Sequence, residues 1–320
     1  MNAPNPHVGA AHRERIDALR LEVGRHFLGP QSAVDLLMVA LLARGHALIE
    51  GVPGVAKTTL MKSFAAALGC SMRRIQFTPD LLPADITGTF VFSPRDGTFT
   101  LRAGPVFAHV VLADEVNRAP AKTQSALLEA MQERQVTIEG ERYALPNPFF
   151  VVATQNPVEM EGTYPLPEAQ IDRFLVSIPL GYPSRDDEKR MLRTYGVTSP
   201  ASQPVLAPDD VIALQEATAA VHVDEDLIHY VVELTRATRK SARVMLGASP
   251  RASLGLLQAA KAHAFCAGRT HLSPDDVRAV AVSVLAHRLL VDEEGEEAPR
   301  VRRQVVEELV ARTDWRRPSA

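Results

Sequence analysis

Short apolar runs alternate with helical patterns through the first half of this 320-residue chain. Continuous apolar runs are typical of strands in a parallel sheet that is covered on both faces, and the alternation with helices favours an α/β fold. We predict strands at 47–49, 72–77, 109–113, 149–154 and 173–178. We predict helices at 13–26, 32–44, 60–68 and 123–134, where apolar residues recur at helical spacing.

Two pairs of short strand-like segments interrupt this alternation and are predicted to be β-hairpins. Segments 89–93 and 98–102 flank a Pro-Arg-Asp-Gly turn, and segments 136–138 and 142–145 flank a Glu-Gly-Glu turn. A plain strand–helix–strand unit has nothing at these positions, so we interpret both hairpins as insertions. They either decorate an edge of the sheet or contact a client protein or a neighbouring subunit.

The pattern changes after residue 182, where strand-like runs give way to helical patterns. These patterns lie near 185–195, 208–220, 224–240, 250–266, 274–290 and 299–312. Most of them begin with Ser, Asp or Pro, which favour helix N-termini. We therefore predict an α/β core at 13–182 and an all-α domain at 183–320, preceded by a disordered N-terminus at 1–12.

The composition is that of an ordinary globular protein, with 46% hydrophobic and 23% charged residues. The net charge of −3 provides no global attraction for nucleic acid or anionic lipid, which disfavours both as partners. The two cysteines, Cys70 and Cys266, lie far apart and are interpreted as reduced thiols. We find no signal-peptide core and no apolar stretch long enough to cross a bilayer, so we expect a cytoplasmic protein without membrane insertion.

A glycine-rich segment, residues 50–59, joins a predicted strand to a predicted helix. Such a loop turns backbone N–H groups toward one point at the positive end of a helix, where a phosphate chain fits. Its lysine adds a charge for the outer phosphates, and the threonine that follows offers a hydroxyl to Mg²⁺. The alternative is an ordinary glycine turn. The predicted nucleotide-binding residues are Gly51, Val52, Pro53, Gly54, Val55, Ala56, Lys57, Thr58 and Thr59.

One position departs from the strict signature of such loops. That signature has glycine immediately before the lysine, where this chain has Ala56. Because alanine carries a Cβ atom, we expect it to fit only if its φ angle is negative.

Two adjacent carboxylates, Asp114 and Glu115, end the predicted strand at 109–113. In the same sheet as a phosphate loop, Asp114 is predicted to hold Mg²⁺ through its water shell, while Glu115 acts as base or positions the attacking water. The alternative is a pair of acids that stabilise a helix N-terminus. Asn156 ends another apolar strand and can hydrogen-bond the attacking water, although an Asn-Pro turn is its alternative role.

Two arginines lie at the starts of predicted elements. Arg173 belongs to the last predicted strand segment, and Arg251 follows Ser249 and Pro250, which favour a helix start. A cation at a helix start opposes the helix dipole, which favours an anion opposite Arg251. The alternative for each arginine is a surface position or a structural ion pair.

Taken in this order, the motifs resemble those of MoxR-type AAA+ ATPases over most of the chain. In that family, alanine before the P-loop lysine is usual. The matching segments are 50–58, 104–107 (Gly-Pro-Val-Phe), 113–120 (Ala-Asp-Glu-Val-Asn-Arg-Ala-Pro), 127–133, 153–157 and 167–174.

The resemblance implies a P-loop α/β nucleotide-binding core followed by a helical lid. It also implies that ATP binds between the two and at a subunit interface, in a ring that is usually hexameric. Lys57 and Thr58 match the Walker A pair, and Asp114 and Glu115 match the Walker B pair.

The remaining matched positions imply further roles. Asn156 matches sensor 1, Arg251 matches sensor 2, and Arg173 matches the arginine finger that reaches into the neighbouring subunit's site. Hairpin 89–102 resembles an insert shared with magnesium-chelatase motors, and hairpin 136–145 resembles the hairpin that precedes sensor 1.

Partners follow from the resemblance only. Members of the family often act with a protein that carries a von Willebrand factor A domain, in chaperone-like maturation of a client or in metal insertion. The alternative functions are a nucleic-acid motor, a small-molecule P-loop kinase and a nucleotide-gated scaffold whose hydrolysis serves as a timer.

Overall fold

The computed structural model describes residues 6–51, 54–95, 97–156, 163–194, 202–293, 295 and 297–316. Within these ranges the strands are β1 (Ala47–Glu50), β2 (Met72–Gln76), β3 (Gly88–Ser93), β4 (Thr98–Ala103), β5 (Val110–Asp114), β6 (Gln135–Ile138), β7 (Glu141–Ala144), β8 (Phe150–Gln155) and β9 (Val176–Pro179). The helices are α1 (Pro6–His26), α2 (Gln31–Leu42), α3 (Lys57–Ala67), α4 (Pro83–Thr87), α5 (Ala121–Glu133), α6 (Glu168–Ile171), α7 (Arg185–Thr194), α8 (Pro208–Ala219), α9 (Glu225–Lys240), α10 (Pro250–Cys266), α11 (Pro274–Leu285) and α12 (Glu297–Arg312).

The central sheet is parallel and has the strand order β2-β5-β8-β1-β9. Alternate residues of β5 face two different apolar layers, with Val110 and Leu112 on one side and Val111 and Ala113 on the other. The predicted α/β core with a sheet covered on both faces is therefore confirmed. Because the strands are parallel, their carboxyl ends meet at one edge, where ligands bind in such sheets.

The last strand begins later than predicted. The Arg173 N–H donates to Gln170 O at 3.2 Å and the Phe174 N–H donates to Ile171 O at 3.0 Å. These local bonds form a turn after α6, so the strand predicted at 173–178 starts only at Val176.

Both predicted hairpins are present. β3 pairs with β4 and β6 pairs with β7, each as a separate two-stranded sheet. Neither hairpin is hydrogen-bonded to the central sheet within the described residues, so neither extends its edge. Contact of either hairpin with a client protein or a neighbouring subunit remains a prediction.

The elements that follow β9 are helices, as the sequence predicts. Proline occupies the first position of α8, α10 and α11, where its missing N–H removes no helical hydrogen bond. α10 packs against α11 and also against α2 of the core. No helix in the described part of the chain is long and apolar enough to span a membrane.

The predicted disorder of residues 1–12 is wrong for residues 6–12. α1 begins at Pro6, in the first helical position, and continues to His26. Ala10 and Ala11 are strong helix formers and favour extension of the helix beyond the amphipathic segment at 13–26, whereas Gly9 disfavours it.

Candidate functional site

The glycine-rich loop leaves the carboxyl end of β1 and enters α3. The Gly51 N–H donates to Gln155 O at 3.3 Å, which ties the start of the loop to β8. A Cβ atom at Gly51 would lie 2.2 Å from Leu180 O, so this position requires glycine. Val55 is buried, whereas Val52 and Pro53 lie outside the described residues.

The expected negative φ angle of Ala56 is wrong. Its φ is +57°, like the +83° of Gly54, so alanine does not adopt a negative φ here. The left-handed conformation directs the chain from the loop into α3, whose first hydrogen bond runs from the Leu60 N–H to Ala56 O at 3.0 Å. The Cβ of Ala56 is tolerated at a cost of about 1 kcal/mol.

Lys57 lies close to the predicted carboxylates. Its Nζ donates to Gly51 O at 2.8 Å. Burial lowers the pKa of Lys57, and attraction to Asp114 and Glu115 opposes that change. The loop and the end of β5 therefore lie close together, and their joint role in nucleotide binding stays a prediction. Thr58 is half-buried, and no hydrogen bond joins its hydroxyl to another described residue.

Asp114 is buried and bound at both carboxylate oxygens. Its Oδ1 accepts the hydroxyl of Thr154 at 2.6 Å. Its Oδ2 accepts two N–H groups of Arg74, from Nη2 at 2.6 Å and from Nε at 3.1 Å. A guanidinium thus neutralises the carboxylate that the sequence assigns to a cation.

Glu115 is bound to the same strands. Its φ is +56°, and its N–H donates to Thr154 Oγ1 at 2.9 Å. Its Oε2 accepts Gln76 Nε2 at 2.8 Å and Arg118 Nη1 at 3.1 Å. Since Arg74 Nη2 also donates to Gln76 Oε1 at 2.6 Å, hydrogen bonds connect the two carboxylates through β2.

Four residues of this arrangement were not predicted as site residues: Arg74, Gln76, Arg118 and Thr154. Gln76 pairs in register with Asp114, and Arg74 precedes it by two residues on the same face of β2. The strand order carries this information, and one sequence does not provide that order. Asn156 comes directly after β8 at the same edge of the sheet, as predicted.

The two predicted arginines lie elsewhere, in a cleft of about 320 Å³ that we call the arginine cleft. Gly45 and Leu175, which precede β1 and β9, also line it, so it lies at the amino ends of these strands. The glycine-rich loop leaves the opposite end of β1, which alone spans about 13 Å. Arg173 and Arg251 therefore lie together, but not beside the loop of their own chain.

Local contacts fix the walls of the arginine cleft. Ser249 caps α10, since its Oγ accepts the Ala252 N–H at 3.3 Å, which confirms the predicted helix start before Arg251. Asp172 Oδ2 accepts Ser249 Oγ at 2.9 Å, and its Oδ1 accepts Arg288 Nε at 2.8 Å. Arg288 is 7% exposed, and burial lowers its pKa to about 10. Neither Asp172 nor Arg288 was predicted.

Arg173 keeps part of its hydrogen-bonding capacity. Its Nη1 donates to Leu128 O at 3.0 Å. Its Nε is buried and has no hydrogen-bond partner among the described residues.

Comparisons with known proteins agree with this architecture. Residues 46–176 match the model of the ATPase family associated with various cellular activities (AAA), and residues 236–309 match the AAA lid domain. The chain is 47% identical to the chaperone MoxR1 of Mycobacterium tuberculosis over 88% of this chain and 77% of that protein. It is 33% identical to the protein MoxR of Methylorubrum extorquens over 85% of this chain and 86% of that protein. The crystal structure of a candidate ATPase from Cytophaga hutchinsonii superposes with a TM-score of 0.87 at 40% identity and covers 96% of both chains.

Proposed function

Because the chain belongs to the MoxR family of AAA+ ATPases, we propose that it hydrolyses ATP at sites shared between neighbouring copies in a hexameric ring. The glycine-rich loop of one copy holds the triphosphate. Arg173 and Arg251 of the next copy complete the site. The family itself establishes the chain as an ATPase; the shared site and the ring are the proposal.

The main support for this proposal is the separation of the arginine cleft from the glycine-rich loop of the same chain. Both arginines line one cleft at the amino ends of β1 and β9, and the loop leaves the carboxyl end of β1. No ion pair joins Arg173 or Arg251 to a carboxylate within the described ranges. Two guanidinium groups with this placement suit an anion that a second copy presents.

The residues at the loop suit a triphosphate with Mg²⁺. Positive φ angles at Gly54 and Ala56 are typical of loops that direct N–H groups toward an anion, and Lys57 supplies a cation. The hydroxyl of Thr58 and the carboxylate of Asp114 are oxygen ligands of the kind Mg²⁺ prefers. Bound there, the cation would neutralise charge on the phosphates.

The proposed catalytic roles are supported by the strand ends at which Glu115 and Asn156 lie. Glu115 accepts a proton from the attacking water or orients it, and Asn156 hydrogen-bonds the same water. Before Glu115 can face a water, its Oε2 must release Gln76 or share its lone pairs with it. Asp114 Oδ2 likewise reaches the water shell of a cation only after Arg74 moves.

The work performed by this ATPase is proposed from its relatives. One of them is named a chaperone, and we propose chaperone-like remodelling or maturation of a protein client, including metal insertion. A protein with a von Willebrand factor A domain is the proposed partner, on the family resemblance alone. Cys70 and Cys266 are free, buried thiols, which supports work in the reducing cytoplasm.

The test is the dependence of ATP hydrolysis on protein concentration. An arginine supplied by a neighbour contributes about 10³–10⁵ in rate, or roughly 4–7 kcal/mol of the barrier. We therefore expect the rate per subunit to rise as copies assemble, and Arg173→Ala to abolish the rise while nucleotide binding persists. Arg312→Ala, which removes an exposed arginine at the end of α12, is the matched control and should behave like the wild type.

Two results would contradict the proposal. A rate per subunit that is independent of protein concentration would exclude a site shared between copies. Full activity in the assembled Arg173→Ala variant would exclude Arg173 from that site.

A further inference from the structure

The arginine cleft holds more positive charge than Arg173 and Arg251 supply. Its lining contains five arginines and a single carboxylate, so its formal charge is +4 in a chain whose net charge is −3. His46 adds no charge at neutral pH, because burial lowers its pKa to about 4. A concentration of like charges in a concave site favours an anionic ligand.

The carboxylate of the arginine cleft is not available to balance this charge. Asp172 accepts Arg288 Nε at one oxygen and Ser249 Oγ at the other. In the part of the chain that the structure describes, no salt bridge reaches Arg44, Arg134, Arg173 or Arg251.

Arg134 is one of two arginines of the arginine cleft with a left-handed backbone; the other is Arg44, whose φ is +55°. Arg134 follows α5 with a φ of +52°, a left-handed conformation that glycine adopts with the least strain. An arginine there costs about 1 kcal/mol in backbone strain. Burial lowers the pKa of Arg134, and the charge of Arg44 lowers it further.

The side chain of Arg134 makes a hydrogen bond within the chain but does not use all of its N–H donors. Its Nη2 donates to Arg44 O at 2.9 Å. A guanidinium has five N–H donors in a planar fork, and most of those of Arg134 remain for another acceptor. Phosphate oxygens match this fork because they accept two parallel hydrogen bonds.

We propose that Arg134 is a third guanidinium that contacts the terminal phosphates of a nucleotide held by the neighbouring copy. This inference rests on the proposed function, in which Arg173 and Arg251 face that nucleotide. A cation at the carboxyl end of α5 also stabilises the helix dipole, by about 0.3–1 kcal/mol. That purely structural role predicts a lower melting temperature without any dependence of catalysis on a neighbouring copy.

The test uses mixtures of two impaired variants. Arg134→Gln should lower the ATPase rate by about 10- to 100-fold, the range expected for loss of one hydrogen bond to a charged group. Lys57→Ala lacks a working loop but keeps an intact arginine cleft. An equal mixture of the two should recover about a quarter of the wild-type rate, because one interface in four joins an intact loop to an intact cleft.

Two controls are measured beside this mixture. Arg173→Ala mixed with Lys57→Ala reports whether sites are shared at all. Arg312→Gln, at the carboxyl end of α12, removes a cation from another helix end and should leave the rate unchanged.

The outcomes separate the two proposals. Recovery in the Arg173→Ala mixture without recovery in the Arg134→Gln mixture overturns the role of Arg134 and leaves the shared site intact. No recovery in either mixture overturns the shared site itself. Wild-type activity of Arg134→Gln alone also overturns the inference. If Arg134→Gln does not fold, Arg134→Lys keeps the charge at the helix end, and the same mixture decides.

Discussion

Replacement of Gly51 by alanine tests the geometry of the glycine-rich loop. An added Cβ would lie 2.2 Å from Leu180 O, and such contacts are essentially never shorter than 3.0 Å. The two atoms must therefore move apart by at least about 0.8 Å. The obstacle is backbone, so no side chain can rotate away.

The surroundings resist that movement. The Leu180 N–H donates to Glu50 O at 2.7 Å, and the Gly51 N–H donates to Gln155 O, so β1, β8 and the end of β9 hold both partners. Overpacking of this kind destabilises by about 1–3 kcal/mol. A displacement near 1 Å in a catalytic site lowers activity about 100-fold, because positioning dominates phosphoryl transfer.

The assay compares Gly51→Ala with Gly181→Ala. A Cβ at Gly181 meets nothing within 4 Å, although this residue follows Leu180 directly. We expect Gly51→Ala to lower kcat/KM for ATP about 100-fold and to lower the melting temperature, and Gly181→Ala to match the wild type. Equal kcat/KM and melting temperature for Gly51→Ala and the wild type would show that the loop accommodates a Cβ atom at residue 51.

Three further predictions concern stability and are measured by denaturant unfolding. Ala56→Gly should raise the free energy of unfolding by less than about 1 kcal/mol, since relief of the left-handed strain exceeds the added freedom of the unfolded chain. A free energy of unfolding below that of the wild type would show that alanine is not strained here. Thr154→Val should lower the free energy of unfolding by about 2–5 kcal/mol, because Asp114 Oδ1 and the Glu115 N–H each lose a buried partner. The control Thr235→Val removes only a hydrogen bond to the Val231 carbonyl of its own helix and should change the free energy of unfolding by less than about 1 kcal/mol. Similar effects of the two changes would contradict this prediction. Burial gives His46 a pKa of about 4 in the folded state, below the 6.5 of an exposed histidine, so the unfolded state binds the proton first as the pH falls. The free energy of unfolding should therefore fall by about 3 kcal/mol between pH 6.5 and pH 4. His46→Gln should remove that part of the pH dependence, and an unchanged pH profile would exclude His46 as its cause.

Local patterns were sufficient to predict much of the fold. The apolar run that forms β5 and the proline-initiated helices α8, α10 and α11 are encoded in consecutive residues, so one sequence reveals them. The same holds for the glycine-rich loop and the carboxylates at the end of β5, which are close in sequence to the elements that position them.

Features that depend on strand order or on packing between distant segments were not predicted. Arg74 and Gln76 reach the carboxylates only because β2 lies beside β5. Arg173 and Arg251 meet only because α10 packs near the amino ends of β1 and β9. The φ of Ala56 was predicted with the wrong sign, since the entry into α3 determines it more strongly than the preference of alanine.

The most direct test of the shared site is the structure of the assembled Glu115→Gln variant with Mg²⁺ and ATP. We expect this variant to bind ATP and hydrolyse it poorly, which preserves the triphosphate. We expect a triphosphate on the loop that contains Lys57, with guanidinium nitrogens of Arg173 and Arg251 from the neighbouring copy about 2.7–3.2 Å from its terminal phosphate. A terminal phosphate contacted by neither arginine of the neighbouring copy, or a loop without nucleotide, would contradict this expectation.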